Sequence, residues 1–207
     1  MNLEQARRLR HVLLDPDEAP PPGLDGLVQA AVLVPLYVRD AGLHVVLIER
    51  ATALRTHAGQ ISFPGGRRDP TDPDLVDTAL REAREEIGLD PAAVDLLGPL
   101  TPASTAVTRF AIYPFVGLIP DAQTWLPAAD EVSAVLEAPL AQLAQTHEYR
   151  TLTRYGRPFP SHCYTVGPHL VWGATARILA DLIARIARAD PDDPNDQRPG
   201  LADPRPR

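Results

Sequence analysis

Residues 65–89 read GGRRDPTDPDLVDTALREAREEIGL, and the reading of this stretch decides the fold. A diglycine turn opens it, an acidic Pro-rich loop follows, and a run with helical periodicity closes it. Leu75, Ala79, Ala83 and Ile87 recur every fourth residue, with Val76 and Leu80 beside them. That spacing predicts a helix with one apolar face packed on a core. Asp74 is placed to cap its start, and Gly88 to end it in the left-handed conformation. Glu82 and Glu86 are expected one turn apart on the face opposite the apolar one, with Glu85 beside them. Like charges at this spacing repel by about 0.2–0.5 kcal/mol. A solvated face, neutralised by pairs of Arg81 with Asp77 and Glu85, is the plain alternative. The diglycine turn favours a cation instead, because its backbone can approach a ligand closely. Mg²⁺ suits a few oxygen ligands and keeps waters for substrate phosphates.

The stretch resembles the Nudix box, GX5EX7REUXEEXGU with U aliphatic. Residues 81–89 (REAREEIGL) match its second half at every fixed position, with Ala83 taken as U. The first half departs: five residues on from Gly66 stands Asp72 instead of Glu, and eight residues instead of seven separate it from Arg81. Asp72 is therefore expected to matter less than the helix glutamates.

The chain has 207 residues, enough for one domain with a sizeable core. A net charge of −7 argues against a nucleic-acid backbone as the main partner. Lysine is absent, so apart from histidine every basic side chain is an arginine, a forked donor suited to phosphate. The single cysteine, Cys163, allows no intramolecular disulfide and reads as a buried or incidental thiol. No apolar run reaches membrane-spanning length, and the N-terminus lacks the apolar core of a signal peptide, so a cytoplasmic location is expected.

The expected organisation is an N-terminal helix and Pro-rich linker over 1–27, a catalytic domain over 28–188 and a mobile Pro/Asp/Arg tail over 189–207. In the N-terminal helix, Leu3, Ala6, Leu9 and Leu13 share one side. Residues 29–38 (QAAVLVPLYV) and 43–49 read as strands of a hairpin turning at Asp40-Ala41-Gly42. Further strands are expected over 94–100, 110–119, 131–139 and 170–173. Residues 145–163 are expected to form strands with loops, 140–144 to begin a short helix, and 175–188 to form an amphipathic helix.

Residues 46–66 read VLIERATALRTHAGQISFPGG. They resemble the pattern LLTxRxxxLRxHxGQxxFPGG of the CoA-pyrophosphatase branch of the Nudix superfamily. Arg50, Leu54, Arg55, His57, Gly59, Gln60, Phe63, Pro64, Gly65 and Gly66 fall in register, and Ile48 replaces the pattern's Thr. The resemblance covers roughly residues 28–186.

The resemblance implies an α/β/α sandwich with a mixed sheet and a glutamate-bearing loop-helix. It also implies Mg²⁺ or Mn²⁺ as cofactor and CoA or acyl-CoA as small-molecule substrate, cut to 3′,5′-ADP and 4′-phosphopantetheine or its acyl form. Glu82, Glu86 and Glu85 are the expected metal ligands. Glu85 is alternatively the group that deprotonates the attacking water, and Arg81 is expected to orient a glutamate. Arg50, Arg55, His57, Gln60, Gly65 and Gly66 are expected around the substrate. Glu131 is a weaker candidate for a distal acid or ligand, beside a structural role. Hydrolysis of NADH, ADP-ribose or a nucleoside triphosphate remains open, as do a non-catalytic nucleotide-binding role and a homodimer.

Overall fold

The computed structural model describes residues 3–14, 24, 26–52, 58–105, 109–121, 123–154 and 156–188. An eight-stranded sheet forms its centre, in the order β3-β2-β1-β7-β5, with three further strands attached off that path. β1 (Val28–Arg39) and β2 (Gly42–Arg50) form the expected hairpin, with Leu36 opposite Val45. Its turn puts Asp40 and Ala41 at φ 49° and 57°, the left-handed pair that matches strand twist. β7 (Phe110–Leu118) runs parallel to β1, from Val28 opposite Phe110 to Leu36 opposite Leu118. The other pairings are antiparallel, so the sheet is mixed: β3 (Ile61–Ser62) and β8 (Val132–Pro139) on β2, β4 (Gly65–Arg67) on β1, β5 (Asp95–Pro99) and β6 (Ala103–Ser104) on β7.

Strand alternation divides the core in two. Ala31, Leu33, Tyr37, Val46 and Ile48 face the helix α2 (Leu75–Ile87), which buries Ala79, Ala83 and Ile87 against them. Val34, Leu36, Val45 and Leu47 face the other way, toward α4 (Gly173–Arg188) and its Ala176, Ile178, Leu179 and Leu182. A second sheet lies on that side, formed by β9 (Glu148–Arg154), β10 (Arg157–Val166) and β11 (His169–Trp172). The short helix α3 (Leu140–Gln145) buries Leu140 and Leu143 there. The result is the expected α/β architecture with helices on both faces of a mixed sheet.

The N-terminal helix is shorter than its periodicity predicts. α1 (Leu3–Arg7) passes into a 3₁₀ turn (Arg8–His11), which buries Ala6 and Leu9 in the α4-side core and leaves Leu3 exposed. Arg7 and Arg10 hold this segment to Asp95 of β5. Cys163 is buried on β10.

Candidate active site

Asp74 Oδ1 accepts the Asp77 amide at 2.9 Å and starts α2; Gly88, at φ 72°, ends it. The strand β4 brings the diglycine against the helix flank. A Cβ on Gly65 would lie 2.4 Å from the Ala31 carbonyl oxygen, and one on Gly66 would lie 2.5 Å from Glu82 Cδ. At Gly65 only glycine lets β4 lie this close to β1, and at Gly66 the missing Cβ leaves space for the Glu82 carboxylate.

Into that contact points Glu86. Helical spacing placed it opposite the apolar face, but the structure buries it to 1% exposure beside Thr78, Ala79, Ala83 and Ile87. It stands next to Ile87 and three residues after Ala83, on the margin of the apolar arc, and the diglycine of β4 leaves room for its carboxylate. The Gly65 amide donates to Oε2 at 2.8 Å, and Arg50 Nη1 lies 3.4 Å from Oε1. Burial pushes the Glu86 carboxyl up to about 7; the Gly65 amide and Arg50 oppose this, and the charges of Glu82 and Glu131 add to it. Glu82, one turn earlier, is also raised by burial, against the pull of Arg81.

Arg81 organises the outer side. Its Nη1 lies 3.0 Å from Glu82 Oε1 and 2.9 Å from Glu85 Oε2. Behind it, Asp72 accepts from Nε at 2.9 Å and from Nη2 at 3.0 Å. Asp72 is itself buried and takes the Thr78 hydroxyl and the Asp69 amide, each at 2.9 Å. The Arg81 guanidinium holds its carboxyl far below the usual carboxylate range. Motif counting placed Asp72 at a margin; the structure makes it the anchor of Arg81. The loop before Asp72 makes a tight turn, where Asp69 Oδ1 accepts both the amide and the hydroxyl of Thr71.

The expected three-glutamate set is not gathered at one point. Glu82 and Glu86 converge, whereas the Glu85 side chain is 57% exposed and turned to Arg81. Among the described residues no group of three His, Cys, Asp or Glu side chains is arranged to hold a metal. The electrostatic influence of Glu131 reaches both Glu82 and Glu86. Backbone bonds explain its placement. The Leu126 and Ala128 amides donate to the Ile87 and Glu86 carbonyls, each at 3.0 Å. The Glu131 amide then donates to Ala128 O at 2.9 Å, and the Ala51 amide to Glu131 O at 2.8 Å. This strap closes a ring from α2 back to the end of β2, a tie that no sequence periodicity reveals. Gln60 holds the same end of β2, accepting the Arg50 amide at 3.0 Å. Arg55 and His57 lie outside the described residues.

A buried carboxylate whose nearest charged partner is a loosely placed arginine fits a missing cation. The all-oxygen donors Glu82 and Glu86 suit a hard divalent ion such as Mg²⁺ or Mn²⁺.

The NUDIX domain family matches residues 27–156. The chain belongs to the Nudix hydrolase family. It is 46% identical over 161 residues to the "Uncharacterized Nudix hydrolase NudL" of Salmonella paratyphi B, covering 76% of this chain and 82% of that one. The namesake from Salmonella newport matches with the same figures. Among solved structures, a MutT/nudix family protein from Enterococcus faecalis superposes with a TM-score of 0.53 at 16% identity, over 90% of this chain and 70% of that one; this likeness concerns the fold. Within this Nudix hydrolase, β4 and α2 both lie inside the matched region. No helix among the described residues is long and apolar enough to cross a membrane.

Proposed function

We propose that this Nudix hydrolase cleaves the diphosphate of CoA or acyl-CoA, giving 3′,5′-ADP and 4′-phosphopantetheine or its acyl form. The observation that carries diphosphate chemistry is the convergence of Glu82 and buried Glu86 on the diglycine of β4, with Arg50 alongside. The choice of CoA rests on the resemblance of residues 46–66 to the CoA-pyrophosphatase pattern.

Glu82 and Glu86 would hold Mg²⁺ or Mn²⁺. The bound cation supplies charge neutralisation on the phosphate oxygens and a more acidic water. Asp72 fixes Arg81, and Arg81 fixes the Glu82 carboxylate, so the donor geometry is set before substrate arrives. Glu85 or Glu131 would supply a third carboxylate, and Glu85 must first leave Arg81 to act as ligand or proton acceptor. Arg50, Gln60 and the Gly65–Gly66 backbone border the place where the diphosphate lies, with Arg55 and His57 assigned to the same loop by the motif.

The test is product identification by mass spectrometry after incubation with Mg²⁺ and CoA, run beside dephospho-CoA, NADH, ADP-ribose and a nucleoside triphosphate. The expected products are 3′,5′-ADP and 4′-phosphopantetheine. A faster reaction with NADH or ADP-ribose would replace the substrate, and binding without turnover of any of them would make the protein a nucleotide-binding module.

A further inference from the structure

The two oxygens of Glu86 are met differently. Oε2 takes a neutral donor, the Gly65 amide, at 2.8 Å. Oε1 faces Arg50 Nη1 at 3.4 Å, the one ion pair that this carboxylate makes among the described residues. Charge-assisted bonds of this type ordinarily close to about 2.7–2.9 Å, so the contact is loose. Arg50 is also built to let its side chain move while its backbone stays. Its amide donates to Gln60 O and its carbonyl accepts from the Gly59 amide, both at 3.0 Å, and the next residue is bonded to Glu131. The pairing of β2 with β8 shifts register between Glu49 and Arg50, which re-aims the side chain. With its side chain 24% exposed, the guanidinium has solvent on one side and a nearly inaccessible carboxylate on the other.

We propose that Arg50 is the built-in counter-ion of Glu86: it occupies the place a divalent cation takes, exchanges with that cation, and on release turns its fork to a phosphate of the substrate. The inference deepens the diphosphate-hydrolase reading and rests on it. The physical argument is exclusion. A guanidinium and a divalent ion cannot share one buried carboxylate oxygen, because each repels the other over a few ångströms of low-dielectric surroundings. Arg50 thus lessens the cost of an uncompensated charge in the cation-free protein. It then becomes a phosphate donor only when the site is loaded. Linkage makes the relation reciprocal: what weakens the Arg50–Glu86 contact strengthens cation binding by the same free energy.

The experiment measures binding, without turnover and without CoA. Mn²⁺ alone is titrated into the full-length wild type and Arg50→Met, a chargeless side chain of comparable reach, with Arg50→Gln as a second variant and thermal melting as the check of folding. The exchange predicts that both variants bind Mn²⁺ about tenfold more tightly than wild type. Inorganic pyrophosphate is then titrated with and without Mn²⁺. Without the cation, Arg50 is engaged with Glu86 and the variants should match wild type. With it, they should bind pyrophosphate about tenfold more weakly. Unchanged or weaker Mn²⁺ binding would overturn the proposal, as would a pyrophosphate loss that is equal with and without Mn²⁺. Since neither titration uses CoA, these outcomes are independent of whether CoA proves to be the substrate.

Discussion

The Gly65 amide donates to Glu86 Oε2 at 2.8 Å, so the strand that opens the signature segment is bonded to the carboxylate near its end. Gly65 lies too close to the Ala31–Val32 backbone of β1 to carry a Cβ, and Gly66 faces the Glu82 carboxylate of the helix. The bond leaves Glu86 buried and only partly compensated, and from this follow the most direct tests of the site.

Glu86→Gln should separate activity from stability. Loss of a metal-holding charge should lower kcat by about a hundredfold or more at saturating Mg²⁺. The same change removes a buried charge, while the amide oxygen of Gln can still accept from Gly65. The metal-free variant should therefore gain about 1–3 kcal/mol over wild type at a pH of about 8, read by denaturant melting. Wild-type turnover in the variant would remove Glu86 from the metal site.

The raised Glu86 carboxyl gives stability a pH signature without metal. Its folded value of about 7 lies above the ordinary 4.5, so its contribution is complete below about 4.5 and is lost as pH rises through about 7. Asp72 is shifted the other way, and its contribution is lost only in strong acid, outside this window. Melting temperatures with and without Mn²⁺ should therefore diverge between about pH 5 and 8, with the metal-free curve falling. Glu86→Gln should flatten that divergence; parallel curves in the wild type would show that burial of this carboxylate is not felt.

Asp72→Asn breaks a buried, two-pronged contact to Arg81 and disturbs the acceptor of Thr78 and Asp69. The expected cost is about 2–3 kcal/mol, below that of a fully enclosed pair because Arg81 is partly exposed. Freed from its anchor, Arg81 should let Glu82 wander, raising the Mg²⁺ concentration needed for half-maximal rate by about tenfold. Stability and metal requirement both equal to wild type would return Asp72 to the marginal role its motif spacing suggests.

The two glycines should fail in different ways. Gly65→Ala drives a Cβ into the Ala31 carbonyl and the Val32 backbone, at a φ of 154°, and should destabilise the fold by about 2 kcal/mol or more. Gly66→Ala meets only the Glu82 carboxylate, which can rotate away. It should melt within about 1 kcal/mol of wild type yet lose metal affinity. A calorimetric Mn²⁺ titration distinguishes these outcomes.

Residues 65–89 made α2 legible because its limits are local: Asp74 caps one end, Gly88 unwinds the other, and the apolar spacing fixes the packed face. The β1–β2 hairpin was legible for the same reason, from its alternating apolar residues and the Asp40-Ala41-Gly42 turn. Burial of Glu86 was not, since it depends on what lies across the helix, and periodicity alone placed it opposite the apolar face. The anchoring role of Asp72 was hidden by a changed motif spacing and shows only in its contacts with Arg81. Glu131 reaches the site through backbone bonds between distant segments, and such ties leave no pattern in side-chain chemistry.

The parallel pairing of β1 with β7 also bears on how the site comes into being. The whole stretch from β2 through α2 to β6 lies between these partners, so it must be spanned before they can meet. Closing a loop of that length is the slow, entropically opposed event in such a topology. Until it happens α2 lacks part of the wall it packs on, Phe115 of β7 among it. If the site closes only after that pairing, a divalent cation should leave the refolding rate almost untouched and instead slow unfolding.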